Sequence, residues 1–408
     1  MITLRLRISP KFRFFLCLFL LILNIALLTC SIYIYNNPIK IVETKILLKT
    51  NYISEKTEVD IEHEKIKAVK KAPKSTERLD IAGWIPDWGI YSGIKTLEEQ
   101  YETFDSISPV YYFINPDGSL KHVVSDKNKE KINKSIKDKN ILLIPTIQDF
   151  DSNNLGQMLE TKEKIFIHND QIIEQIKKYQ FDGIDLDYES IKLADKDKFF
   201  FMLEDLSKKI KQINKKLVFT VLPKWGNEIS YESLPQTRKV QDWKRISDLV
   251  DEMRIMTYEL FGGNTIIGPI GPISWLELNI QYAIYIGVPR EKIVLGVHTY
   301  SYDWTERDIV DKIDFKNFFH DPEKTKNLPI GVALFNTDIM KIKKNYKFTE
   351  IFNEEWGESI GRYTFRGVNR VVVFPTERSF EMRKELAAEY GIKGIAYWKI
   401  GDESGMKL

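Results

Sequence analysis

Cysteine is nearly absent. The 408 residues contain two, Cys17 and Cys30, both within the first 35. Everything after Cys30 therefore lacks intrachain disulfides, thiolate metal sites and cysteine nucleophiles. A stretch of that length can be held by an apolar core instead. An excess of charge is also missing: 60 Lys and Arg stand against 58 Asp and Glu, a net +2. That balance gives no reason to expect nucleic acid as a partner. There is no internal repeat and no low-complexity tract. With 43% hydrophobic and 29% charged residues, a largely disordered or fibrous chain is excluded as well.

The first segment is not globular. Residues 1–13 carry Arg5, Arg7, Lys11 and Arg13 and no acid, and Phe14–Tyr35 is a run of 22 residues without a charge. As a helix it would span about 33 Å, enough for a bilayer core of about 30 Å. A cleaved signal peptide is the alternative, but its A-x-A-like site is missing. Leu27-Leu28-Thr29-Cys30 fits a lipoprotein cleavage box poorly, because Thr precedes the Cys. The expectation is an uncleaved signal anchor in the cell membrane, with the basic end cytoplasmic and the rest outside. Residues 36–79 are rich in Lys, Glu and Thr without a sustained apolar period. They are expected to form a charged linker reaching on the order of 35–40 Å. The regional charges are +4 for 1–13, zero for the apolar run, +3 for the linker and −5 for 80–408.

From Asp80 onward, short β-rich runs alternate with helical stretches. Candidate strands are Ile81–Pro86, Ile107–Ile114, Ile141–Thr146, Gly183–Asp187, Leu217–Leu222, Met253–Thr257, Ile293–Val297 and Gly394–Trp398. Phe199, Leu203, Leu206, Ile210 and Ile213 fall on one helix face. Ser379–Tyr390 has the same period, with Gly391 as its stop. Eight strands separated by helices indicate a parallel sheet, and eight is the number for an α/β (β/α)8 TIM barrel. The 329 residues of 80–408 exceed that fold's norm by about 80. The longest gap, 298–393, is expected to hold the main insertion, before the last strand.

Phe181-Asp182-Gly183-Ile184-Asp185-Leu186-Asp187-Tyr188-Glu189 carries four carboxylates in eight residues. Alternate residues of a strand share a face, so Asp185, Asp187 and Glu189 point one way and the apolar residues the other. Stacked like charges raise at least one pKa, which can keep a terminal Glu protonated near neutral pH for general-acid work. In a parallel barrel the active groups sit at the C-terminal strand ends, where Glu189 lies. An EF-hand fails because its sixth position, counted from Asp185, is Ser190 rather than Gly. Asp185-Leu186-Asp187 as a divalent-metal motif of a transferase, and acids satisfied purely structurally, remain as alternatives.

The run Asp182–Glu189 resembles the D-G-x-D-x-D-x-E signature of glycoside hydrolase family 18, the chitinase-like family. Gly83-Trp84-Ile85-Pro86 is similar to that family's first strand, and Met256-Thr257-Tyr258-Glu259 to its M-x-Y-D segment, with Glu in place of Asp. Val294-Leu295-Gly296-Val297 with Tyr300 is similar to the seventh strand, and Gly394-Ile395-Ala396-Tyr397-Trp398 to the eighth. The resemblance covers 80–408 and points to the bacterial cell-wall and spore-cortex lytic branch. It implies substrate-assisted retaining hydrolysis of polymers containing β-linked N-acetylglucosamine, without metal or cofactor. Glu189 is implied as the acid, Asp187 as the support of the acetamido group, Asp185 as the support of Asp187, and Tyr258 as a donor to the acetamido oxygen. Trp398, Trp84, Trp225 and Tyr300 are expected at the sugar platform, with Glu259 touching the sugar. Trp88 and Trp304 fit loop packing equally well, and His298 has no assigned role. Peptidoglycan is the first expected substrate and chitin the second. A chitinase-like sugar-binding protein without turnover is the alternative from another class.

Overall fold

The computed structural model describes residues 64–72, 78–225, 236–307, 330–403 and 405–408. The expected cytoplasmic flank 1–13, the membrane run 14–35 and the linker up to residue 63 lie outside them. Among the described residues no helix is long and apolar enough to cross a membrane.

Eight parallel strand positions close into a barrel. They are β1 (Asp80–Ile85), β2 (Ser106–Ile114), the pair β4 (Leu142–Leu143) and β5 (Thr146–Asp149), β6 (Gly183–Tyr188), β7 (Lys216–Val221), β8 (Glu252–Ile255), β9 (Ile293–His298) and β15 (Gly394–Trp398), with β3 (Leu120–His122) as an antiparallel flap on β2. Closure comes from β1, which pairs in parallel with β15 on one side and β2 on the other. Strands covered on both faces need apolar residues at successive positions, and β6 and β9 are buried at every residue. The third strand position is broken at Ile144-Pro145, where proline lacks the N–H that a ladder uses.

The helices between strands follow the expected stripes. Helix Lys196–Gln212 buries Phe199, Leu203, Leu206 and Ile210. Helix Glu377–Tyr390 starts on the Thr376 cap, whose hydroxyl accepts from the Ser379 N–H, and stops at left-handed Gly391, a position that tolerates φ > 0 without a Cβ penalty. Segment 64–72, expected within the linker, lies against the barrel instead. Ile66 is fully buried in the main core, the Ala72 N–H donates to Glu389 O at 2.9 Å, and Arg290 Nη2 donates to Lys70 O at 2.8 Å.

The insertion before the last strand has its own antiparallel sheet of β10 (Ser301–Thr305), β11 (Val332–Leu334), β12 (Thr349–Asn353), β13 (Glu358–Phe365) and β14 (Val368–Phe374), in the order β11-β10-β14-β13-β12. Trp304, Trp356, Val371 and Val373 pack with Ile267 as its core. The β13–β14 hairpin turns on Arg366 and Gly367, both left-handed at φ 50° and 78°, as a tight two-residue hairpin requires.

Candidate active site at the mouth of the barrel

The register of β6 decides which acids meet. Asp185 lies beside Thr146 and Asp187 beside Gln148 of β5, so both point into the barrel while Leu186 and Tyr188 face the helices. On that outer face the Tyr188 hydroxyl donates to His168 Nε2 at 2.7 Å, and His168 Nδ1 donates to Gly118 O at 3.0 Å. Burial pushes the His168 pKa down to about 4, so the ring is neutral and this pairing of roles is available to it. The fourth acid of the run, Asp182, stands apart. Its Oδ2 accepts from the Leu143 N–H at 2.9 Å, a fastening at the strand's start.

Asp185 is fully buried and accepts three hydrogen bonds, from Trp84 Nε1 at 2.8 Å, Thr220 Oγ1 at 2.9 Å and Thr146 Oγ1 at 3.0 Å. Burial pushes its pKa up, against the pull of Arg254 and these donors. Asp187 is less well satisfied. Its Oδ2 accepts from Gln148 Nε2 at 2.8 Å, and its buried Oδ1 has no hydrogen-bond partner among the described residues. Burial, then the charges of Glu189 and Asp185, push its carboxyl well above the usual range. Glu189, one residue beyond β6, is pushed up to about 7 by burial and by the charge of Glu259.

Tyr258 and Glu259 follow β8. Space for the Tyr258 ring comes from Gly296 of β9, where a Cβ would lie 2.8 Å from a ring carbon. Burial and the charges of Asp187, Glu189, Glu259 and Asp185 push its phenol well up, so it stays a hydrogen-bond donor. Glu259 adopts a left-handed backbone with φ 61°. Its Oε1 accepts from the hydroxyls of Tyr300 at 3.1 Å and Tyr302 at 2.9 Å. Asp185, Asp187, Glu189, Tyr258 and Glu259 are thus brought within mutual electrostatic reach.

The aromatics expected at a sugar platform are placed differently from one another. Trp398 is half-buried and meets Trp84 edge-on, with ring centroids 6.1 Å apart at 70°. Trp84 itself is 2% exposed, because it sits within β1 with its indole turned inward as a donor to Asp185, so it offers no open face. Tyr300, 7% exposed, serves Glu259 through its hydroxyl rather than presenting its ring. Trp225 lies beyond β7, half-buried, edge-on to Trp275 at 5.8 Å. Trp304 is fully buried in the insertion core, whereas Trp88 is 65% exposed and stacks on Phe335 at 6.3 Å. His298 is buried beside Glu358 at 3.5 Å. Sequence reasoning missed Gln148, Thr146, Thr220 and Tyr302. Strand parity could have placed the first three inside the barrel, but only once the register was known. Among the described residues no three His, Cys, Asp or Glu side chains are grouped to hold a metal ion.

The family model described as glycosyl hydrolases family 18 matches residues 81–403. Similar proteins include a Bacillus subtilis protein called uncharacterized glycosylase YvbX, 23% identical over 63% of this chain and 68% of its own length. The cortical fragment-lytic enzyme of Bacillus anthracis is 29% identical over 59% of this chain, and that of Bacillus cereus 28% identical over 70%. The chain spans 51% and 62% of the lengths of these two enzymes. Among solved structures, the Bacillus cereus spore cortex-lytic enzyme SleL superposes with a TM-score of 0.67 at 21% identity, over 81% of this chain and 73% of that one. A chitinase from Chromobacterium violaceum gives 0.67 at 17% identity, over 80% and 95%. At these identities the superpositions establish the barrel fold.

Proposed function

Since the chain belongs to glycoside hydrolase family 18 and is a chitinase-like glycosidase, we propose that it cleaves β-linked N-acetylglucosamine polymers by substrate-assisted retaining hydrolysis, a route in which the sugar supplies the nucleophile. In the first step Glu189 transfers its proton to the glycosidic oxygen as the C1–O bond breaks. The acetamido oxygen of the same sugar forms a bond to C1, and positive charge spreads over the resulting ring. Asp187 accepts the acetamido N–H and offsets that charge, and Tyr258 donates to the acetamido oxygen. In the second step Glu189, now a carboxylate, takes a proton from water as the water oxygen attacks C1 and the acetamido group is restored. Asp185, held by Trp84, Thr146 and Thr220, keeps Asp187 in place, Trp398 floors the sugar, and Glu259 contacts it.

The observation that carries this reading is the state of the upper pair. A glutamate whose pKa stands at about 7 keeps a substantial protonated fraction near neutral pH, as a general acid needs. Beside it, Asp187 has a buried oxygen without a partner among the described residues, which the acetamido N–H would satisfy. A non-catalytic sugar binder has no use for a raised Glu at this place.

Peptidoglycan is the substrate we favour, on two supports. Relatives bear the name cortical fragment-lytic enzyme, and an anchor at 14–35 with a short linker would confine the barrel to the outer face of the cell's own envelope. Chitin-type oligosaccharides are the second choice. Incubating the full-length chain and its Glu189→Gln variant with peptidoglycan and with N-acetylchitooligosaccharides, and weighing the products, tests the reading. Wild type should release fragments ending in reducing N-acetylglucosamine, and the variant should lose about 10³-fold or more in kcat/KM. Equal turnover by both would remove Glu189 from the mechanism. Tight sugar binding without turnover by wild type would favour the binder.

A further inference from the structure

Below the reacting acids, the barrel axis carries charge where such interiors are usually filled with branched aliphatic side chains. Arg254 of β8 is fully buried. Its Nε donates to Glu252 Oε1 at 2.6 Å, its Nη1 to Ser108 Oγ at 2.7 Å and its Nη2 to Ser106 Oγ at 3.4 Å. Nη1 also stands 3.7 Å from Asp185 Oδ2. Glu252 Oε2 in turn lies 3.9 Å from Lys393 Nζ, which pairs with Asp80 at 2.7 Å at the barrel base. Asp185, Arg254, Glu252, Lys393 and Asp80 thus form a column of alternating sign from the catalytic mouth to solvent.

Burying a guanidinium is costly unless its partners compensate. Asp185 already has three hydrogen-bond donors, and at 3.7 Å Arg254 adds little hydrogen bonding to it. What it adds is a positive charge. The remaining groups in contact with Asp185 and Arg254 are neutral: Trp84 of β1, Ser106 and Ser108 of β2, Thr146 of β5, Thr220 of β7, and on the β9 and β15 side Val294 and Ala396, which pack on Trp84. Farther down, Asp105 and Lys216 line the cavity at the barrel base together with Ser106 and Glu252. Above lie Asp187, Glu189, Tyr258 and Glu259.

We propose that Arg254 is a positioning residue for the catalytic proton. By holding Asp185 ionised from below, it leaves the cluster's proton to the upper pair, Asp187 and Glu189, where hydrolysis uses it. Without that charge Asp185 becomes a competing proton site, and protonating it removes the anion behind Asp187. This inference rests on Glu189 acting as the acid, and adds the group that decides which carboxylate is kept free of the proton.

The test is the pH profile of kcat/KM for the full-length chain and three variants, each checked for folding by circular dichroism. Arg254→Met should lower the maximum and move the acid limb up by about one pH unit. Arg254→Lys keeps the charge and should leave that limb within about half a unit of wild type. Glu252→Gln releases Arg254 toward Asp185 and should move it down. A merely structural role would lower the rate and leave the limbs in place. Folded Arg254→Met with wild-type limbs would overturn the proposal, as would Arg254→Lys displaced as far as Arg254→Met. If Arg254→Met does not fold, a Glu252→Gln limb that stays or moves up overturns it instead. Glu189→Gln, run alongside, separates the two readings: full turnover there sinks the acid assignment, whereas fixed limbs with an inactive Glu189→Gln sink only the role of Arg254.

Discussion

The mouth of the barrel and the seam between barrel and insertion both bury carboxylates, and they satisfy them differently. At the seam, Glu358 of β13 is fully buried and accepts from the Ile270 and Gly271 N–H groups at 2.9 and 2.8 Å and from Arg383 Nη2 at 3.0 Å. Arg383 also donates to the carbonyls of Gly357, Ser379 and Gly271. His298 stands alongside as a neutral ring, its pKa pushed well down by burial and by Arg383. At the mouth, Asp187 has one donor and two acidic neighbours. Burial pushes the carboxyls up in both places, but at the seam Arg383 and two backbone N–H groups pull Glu358 back. A buried acid with its valences filled fastens two elements together. Buried acids that repel one another and keep an oxygen free are a site for chemistry.

That contrast is open to direct attack. The largest effect is expected at the seam. Arg383→Met leaves Glu358 buried without its cationic partner, and should cost about 3–5 kcal/mol of stability, seen as a lower denaturant midpoint. The protein that remains folded should keep its turnover within about twofold. A mid-seam substitution that abolished turnover while leaving the midpoint unchanged would erase the distinction.

At the mouth the sign should reverse. Folding raises the proton affinity of Glu189 above the ordinary 4.5, to about 7. The folded state therefore holds a proton that the unfolded chain has released, and stability falls as pH rises through that interval. Glu189→Gln removes the penalty. Thermal unfolding should show the variant more stable than wild type by about 1–3 kcal/mol at pH 8, a shift of several degrees, with the gap closing near pH 4.5. A variant less stable than wild type at pH 8 would break the comparison. The smallest effect belongs to Tyr302, which ties the insertion to the mouth through Glu259. Tyr302→Phe removes one of two donors, worth about 1 kcal/mol, and should raise KM a few-fold with kcat unchanged. A fall in kcat alone would place Glu259 in the chemical step.

The sequence carried the barrel well and the insertion poorly, for a physical reason. Parallel strands covered on both faces are near-continuous apolar runs, and all eight positions stand where those runs lie. The third differs in detail, since Ile141–Thr146 was expected as one strand and Pro145 divides it. The antiparallel strands offer no such uniform run, as in Thr349–Asn353 with its exposed Thr349, Glu350 and Ile351, and they were not distinguished. The Arg366-Gly367 turn was the one local signal for them. At the site, Asp182–Glu189 was legible because its acids are contiguous. Their partners were not, because Thr220 and Thr146 lie 35 and 39 residues from Asp185 and meet it only when the barrel closes. Trp84 was expected as a platform because it stands near a strand end. Its inward parity makes it a donor to Asp185 instead.

In the proposed mechanism the sugar's own acetamido group completes the site that Glu189 and Asp187 begin. It is tested most directly by offering the full-length chain two glucosamine polymers of equal length, one fully N-acetylated and one fully deacetylated, and counting new reducing ends. The acetylated polymer should be hydrolysed and the deacetylated one left intact. Comparable cleavage of both would contradict it.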